Sequence, residues 1–144
     1  MKLYTSYYAQ LRHFTPNVVG LSTAIWPPKW RPFGKDANGI LVVDCPPLHP
    51  GPSCAGLCTG RCAFKKAPDC DFIRAYQKQL EAIDAISFWN SIRILSEKVR
   101  QNDHIDDPDF AFLVYEAPTN KCSERIAIQQ WVRSQGIEIE EWHR

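Results

Sequence analysis

Two nearly unbroken apolar runs, Val18 to Ile25 and Phe110 to Tyr115, most constrain what this chain can fold into. A strand with one wet face alternates apolar and polar residues, so a run without alternation predicts a strand covered on both faces. Leu3 to Tyr8 is rich in the aromatic and hydroxyl types that suit a half-buried strand, and Ile40 to Val43 adds a shorter one. Between these runs the pattern changes period. Phe72, Ile73, Tyr76, Leu80 and Ile83 recur at helical spacing, and Phe88, Trp89, Ile92, Leu95 and Val99 mark a second helix from Ile86. A short helix is expected over Ala9 to Phe14, stopped by Pro16. A third is expected from Pro118 through Ile126, Ile128 and Trp131 to a stop at Gly136. Ile137 to Trp142 reads as a final edge strand.

Strands alternating with helices predict an α/β fold, a small and mainly parallel sheet flanked by helices. A length of 144 residues with 44% apolar and 12% aromatic content suits one domain, residues 1–144. In such sheets ligands bind in the crevice beyond the carboxyl ends of the strands. That rule gathers Ser6 and Tyr7 after the first strand, Trp26 to Lys29 after the second, and Glu116 to Cys122 after the third.

Residues 45–70 read differently. They hold five of the eleven prolines and five of the six cysteines, with little helical or strand periodicity. An irregular stretch this long calls for something to fix it. The chain has no apolar run long enough to cross a membrane, and Met1 to Tyr8 lacks the apolar core of a secretory signal, so a cytoplasmic location is expected. In a reducing compartment, clustered cysteines point to metal ligation or reactive thiols rather than stable disulfides. Cys54, Cys58, Cys62 and Cys70 supply four sulfurs from a loop that Gly56 and Gly60 allow to curl, enough for tetrahedral zinc or an iron–sulfur cluster. Cys45 and His49 stand in reserve. The spacing is not that of a Cys-x2-Cys ribbon, so it does not select the metal, and free thiols on a surface loop are the alternative.

Cys122 lies where the first turn of the third helix is expected, a setting that stabilises a thiolate. Arg125 is placed to hold an anion, Glu116 to act as a base or as the partner of Arg125, and Ser123 to add a hydroxyl. A buried inert cysteine beside an ordinary ion pair is the alternative, and ligation of Cys122 to the metal is a third. Trp26, Lys29, Trp30, Arg31 and Lys35, with Arg61, Lys65 and Lys66 in the cysteine loop, interleave cations and rings, a composition able to hold phosphate while stacking a base, or else to pack as a lid. The net charge of +1 supplies no global field for nucleic acid.

Several of these segments carry a family resemblance. Tyr4-Thr5-Ser6-Tyr7, Pro27-Pro28-Lys29-Trp30, Tyr76-Gln77-Lys78-Gln79-Leu80-Glu81, and Val114-Tyr115-Glu116-Ala117-Pro118 followed by Cys122 resemble the domain-of-unknown-function 488 family. The likeness is to its short bacterial and phage-type members and spans the chain apart from residues 45–70. Those members carry Cys-His-Arg at the start of the last helix, where this chain has Cys122-Ser123-Glu124-Arg125. The resemblance implies a Rossmann-like fold and brings no settled activity with it. Two functions follow as expectations. The first is an enzyme acting on a small phosphorylated or nucleotide-type ligand, with Cys122, Arg125 and Glu116 at the chemistry and Tyr7, Ser6, Lys29 and Ser123 around the ligand. The second is a non-catalytic module that binds nucleic acid or protein and carries a structural metal.

Overall fold

The computed structural model describes residues 1–54, 57, 70–115 and 124–142. Six strands form one sheet: β1 (Leu3–Tyr7), β2 (Val18–Ser22), β3 (Gly34–Lys35), β4 (Leu41–Asp44), β5 (Asp109–Val114) and β6 (Glu140–Glu141). Their spatial order is β3-β4-β2-β5-β1-β6, and every neighbouring pair is parallel except β3 with β4. The mainly parallel α/β architecture expected from the sequence is therefore present. The two apolar runs are β2 and β5, which lie side by side at the centre with Val19 opposite Phe110 and Leu21 opposite Phe112.

Helices α1 (Asp71–Glu81), α2 (Ala85–Asp103) and α3 (Arg125–Ser134) follow from the same periodicity. On α1 the buried residues Phe72, Ile73, Tyr76 and Leu80 fall on one stripe. Asp84 caps α2 by accepting from the Ile86 and Ser87 amides, and His104 ends it in the left-handed conformation. Gly136, at φ 76°, turns the chain just past α3, as the sequence predicted. The three helices bury Val19, Leu21, Phe110, Phe112 and Val114 on one face of the sheet. On the other face, the 3-10 segment Tyr8–His13 places Tyr8 and Leu11 with Phe14 over Val18, Val42, Ala111 and Leu113. Only Tyr8 to Asn17 connect β1 to β2 and Pro16 interrupts them, which leaves too little chain for a longer helix there. Gly20 lies here beneath Leu113: a Cβ would stand 2.6 Å from Leu113 Cδ1, so packing requires the missing side chain.

Three details depart from expectation. The last strand shrinks to Glu140–Glu141, and β3, with no sequence signal, pairs with β4. The start of the cysteine-rich segment is also more regular than predicted, with 3-10 turns at Pro46–Leu48 and Pro52–Cys54. Helix α1 pins both. The Tyr76 hydroxyl donates to Leu48 O at 2.5 Å, Gln79 Nε2 donates to His49 O at 2.5 Å, and Gly51 N donates to Gln79 Oε1 at 2.7 Å. Side chains of α1 thus tie residues 46–54 to the helix.

Candidate site at the carboxyl ends of the parallel strands

Because β2, β5 and β1 are adjacent and parallel, Ser22, Val114 and Tyr7 end at one rim. Polarity concentrates there. Of the six polar or charged side chains buried among the described residues, Thr5, Ser6, Ser22, Thr23 and Arg125 lie at this rim, and only Arg31 lies elsewhere. Buried polar groups need partners, and most of these have them within the rim. Ser6 donates to Trp142 O at 3.2 Å, Tyr8 donates to Ser22 Oγ at 2.6 Å, and Thr23 donates to Leu113 O at 2.9 Å.

On the helix side a polar cluster joins three elements. The Thr5 hydroxyl donates to Glu141 Oε2, while Gln129 Nε2 of α3 donates to Thr5 Oγ1 at 2.6 Å. Arg125, the first residue of α3, sets its Nε 3.6 Å from Glu141 Oε1. Only 7% of Arg125 is exposed, so its charge acts in a medium of low dielectric, where electrostatic interactions are strengthened. The acid beside Arg125 among the described residues is thus Glu141, which sequence reasoning had assigned only to an edge strand. Its alternation in Ile137-Glu138-Ile139-Glu140-Glu141 is that of any half-exposed strand and gives no sign of an inward carboxylate.

A second pair stands at the end of β4, where His49 Nε2 lies 2.6 Å from Asp44 Oδ1. Nearby sulfurs are buried. Loss of water pushes the Cys45 thiol up to about 12, against a smaller opposing effect of the Leu48 backbone, so Cys45 is a neutral thiol at ordinary pH. Burial also holds the Tyr76 hydroxyl well above its usual range, with Glu124, Cys45 and Cys54 adding to the effect. Cys54 donates to Gln79 Oε1 at 3.6 Å, and Cys70 precedes α1 in the same apolar cluster as Cys45 and Cys54.

The other margin of the rim is aromatic. Buried Tyr8 meets Trp30 edge to face at 6.3 Å and Tyr115 at 6.4 Å. Burial raises the Tyr8 hydroxyl, opposed by its bond to Ser22 and by the charge of Arg31. Arg31 itself is covered. It donates to the carbonyls of Pro32, Gly34 and Ile40 and so braces the β2–β4 connection instead of facing a ligand. Lys35 is ion-paired with Asp103. Lys29 remains exposed.

The expected site residues therefore separate. Ser6 is used in tying Trp142 to β1, and Tyr7 is half-buried with its hydroxyl accepting from Gln10 at 2.8 Å. Arg125 opens α3 beside Glu141, and Lys29 is exposed in the connection between β2 and β3. Glu116, Cys122 and Ser123, and the proposed ligands Cys58 and Cys62, lie outside the described residues. Among the described residues no group of three or more His, Cys, Asp or Glu side chains is placed to hold a metal ion, and no helix is long and apolar enough to cross a membrane. Compared with protein-family models, curated proteins and solved structures, the chain matches none.

Proposed function

We propose that the carboxyl rim of the sheet binds a small phosphorylated ligand of nucleotide type, and that the protein acts on it as an enzyme. One observation carries the reading: buried polar side chains gather at this end of the strands, with Arg125 opening α3 beside Glu141. A helix start bearing a guanidinium favours an anion through both the helix dipole and hydrogen bonding. In this reading Arg125 and Cys122 form the anion-facing wall, with Ser123 beside them. Glu116 acts as base, and Lys29, Ser6 and Tyr7 contribute charge and polar edges. The Rossmann-like reading of the fold, the likeness to the domain-of-unknown-function 488 family and a cytoplasmic setting belong to the same proposal.

The proposal extends to Cys54, Cys58, Cys62 and Cys70 as a zinc or iron–sulfur site that buttresses the rim. Its support is that Cys54 and Cys70, the first and last of the four, are both buried on the helix side of the sheet. The exposed Trp26 and Trp30 favour a second reading, a non-catalytic module for nucleic acid or protein.

Calorimetric titration with AMP, ADP, ribose 5-phosphate and inorganic phosphate tests the main reading. Binding of a phosphorylated compound that falls at least tenfold in Arg125→Ala is expected, and the absence of binding by all four overturns the reading. Anaerobic purification with elemental analysis and an absorption spectrum tests the metal: stoichiometric zinc or iron is expected, and neither metal would refute the buttress. A gel shift with an oligonucleotide, steeply weakened by salt, would favour the second reading.

A further inference from the structure

Large rings left in water are a cost unless something covers them. Trp26 is 81% exposed, Trp30 63% and Tyr115 59%, and all three belong to segments that follow β2 or β5. Trp30 and Tyr115 are far apart in sequence yet share a buried third ring, Tyr8, which touches both and is fixed by its hydroxyl on Ser22. Trp30 is further held by its neighbour Arg31, whose guanidinium is anchored on three carbonyls. These rings are thus positioned in advance, which lowers the ordering cost of stacking.

We infer that Trp30 and Tyr115, seated on Tyr8, form the base-stacking subsite of the rim: the flat ring of a mononucleotide lies against them while its phosphate turns toward the first turn of α3. The assignment rests on the nucleotide reading above and gives the ligand an orientation. Among the described residues, the charge beside these rings suits a single nucleotide better than a strand. Of the three cations between β2 and β4, Arg31 is covered and Lys35 is paired with Asp103, which leaves Lys29. A strand of nucleic acid calls for a row of cations along its phosphates, whereas a mononucleotide needs one or two. Tyr115 directly follows Val114, the last residue of central β5, so the rings flank the crevice rather than a remote surface.

The test compares AMP, UMP and ribose 5-phosphate, the last lacking a base, by calorimetry and tryptophan fluorescence on the whole protein. The variants are Trp30→Ala, Tyr115→Ala and Trp30→Phe. Each alanine variant is expected to weaken AMP and UMP about tenfold or more, the loss typical of a deleted stacking ring, and to leave ribose 5-phosphate unchanged. Trp30→Phe should restore most of the loss. Equal AMP binding in wild type and both alanine variants would overturn the subsite while leaving the phosphate site standing. Equal weakening of AMP and ribose 5-phosphate would overturn it as well, because the rings would then shape the rim without reading the base. Failure of all three compounds to bind would remove the underlying reading, and tight salt-dependent binding of a single-stranded oligonucleotide without mononucleotide binding would replace it.

Discussion

Cys45 illustrates what burial does to a single group. Its thiol value rises from an ordinary 9.0 to about 12, so the fold favours the protonated form. The contribution of that proton to stability is complete below pH 9 and is lost as pH climbs toward 12, with a slope of roughly 1.4 kcal/mol per pH unit for one proton. Urea melts between pH 9 and 10 should therefore weaken more steeply for the wild type than for Cys45→Ala; parallel curves would contradict the assignment. Tyr76 offers a second case. Tyr76→Phe leaves the buried Leu48 carbonyl without its donor and should cost about 1–3 kcal/mol in the same melts. Such residues were only half legible in the sequence. Helical spacing placed Tyr76 inside, but nothing in that spacing says which carbonyl its hydroxyl meets. Arg31 beside two tryptophans read as either a phosphate-holding cation or part of a packed lid, and its capture by three carbonyls depends on how the chain closes at Gly34 and Ile40.

Among elements, α1 does more than cover the sheet. Its Gln79 amide joins His49, Gly51 and Cys54. Gln79→Ala should therefore free the 46–54 turns while sparing the helix, seen as faster hydrogen exchange at the Gly51 amide with unchanged exchange across α1. At β2, Gly20→Ala forces a methyl against Leu113 and should cost about 1–3 kcal/mol of overpacking. A gain in stability there would mean that Leu113 moves aside freely. The long elements were legible because their periods persist over many residues: β2, β5, α1 and α2 all stand close to the expected positions. The short ones were not. β3 is two residues held by pairing with Val42 and Leu41, and the Pro46 and Pro52 turns are held by a helix distant in sequence, so local composition carried no trace of either.

At the scale of the whole molecule, the sheet order brings three separated segments to one end, and this much of the site followed from the parallel reading alone. The pairing of Arg125 with Glu141 and of Tyr8 with Trp30 and Tyr115 did not, because each joins side chains of separate elements that local spacing does not bring together. Among the described residues the sheet also ends abruptly on both sides, in Gly34–Lys35 and in Glu140–Glu141. Each margin offers an incoming chain only two residues of backbone, set beside charged groups, so ribbon-like stacking of copies finds little purchase. Concentrated solutions should stay thioflavin-negative, and Glu140→Val, which removes one of those charges without touching Arg125, is the change expected to erode that resistance to fibril growth.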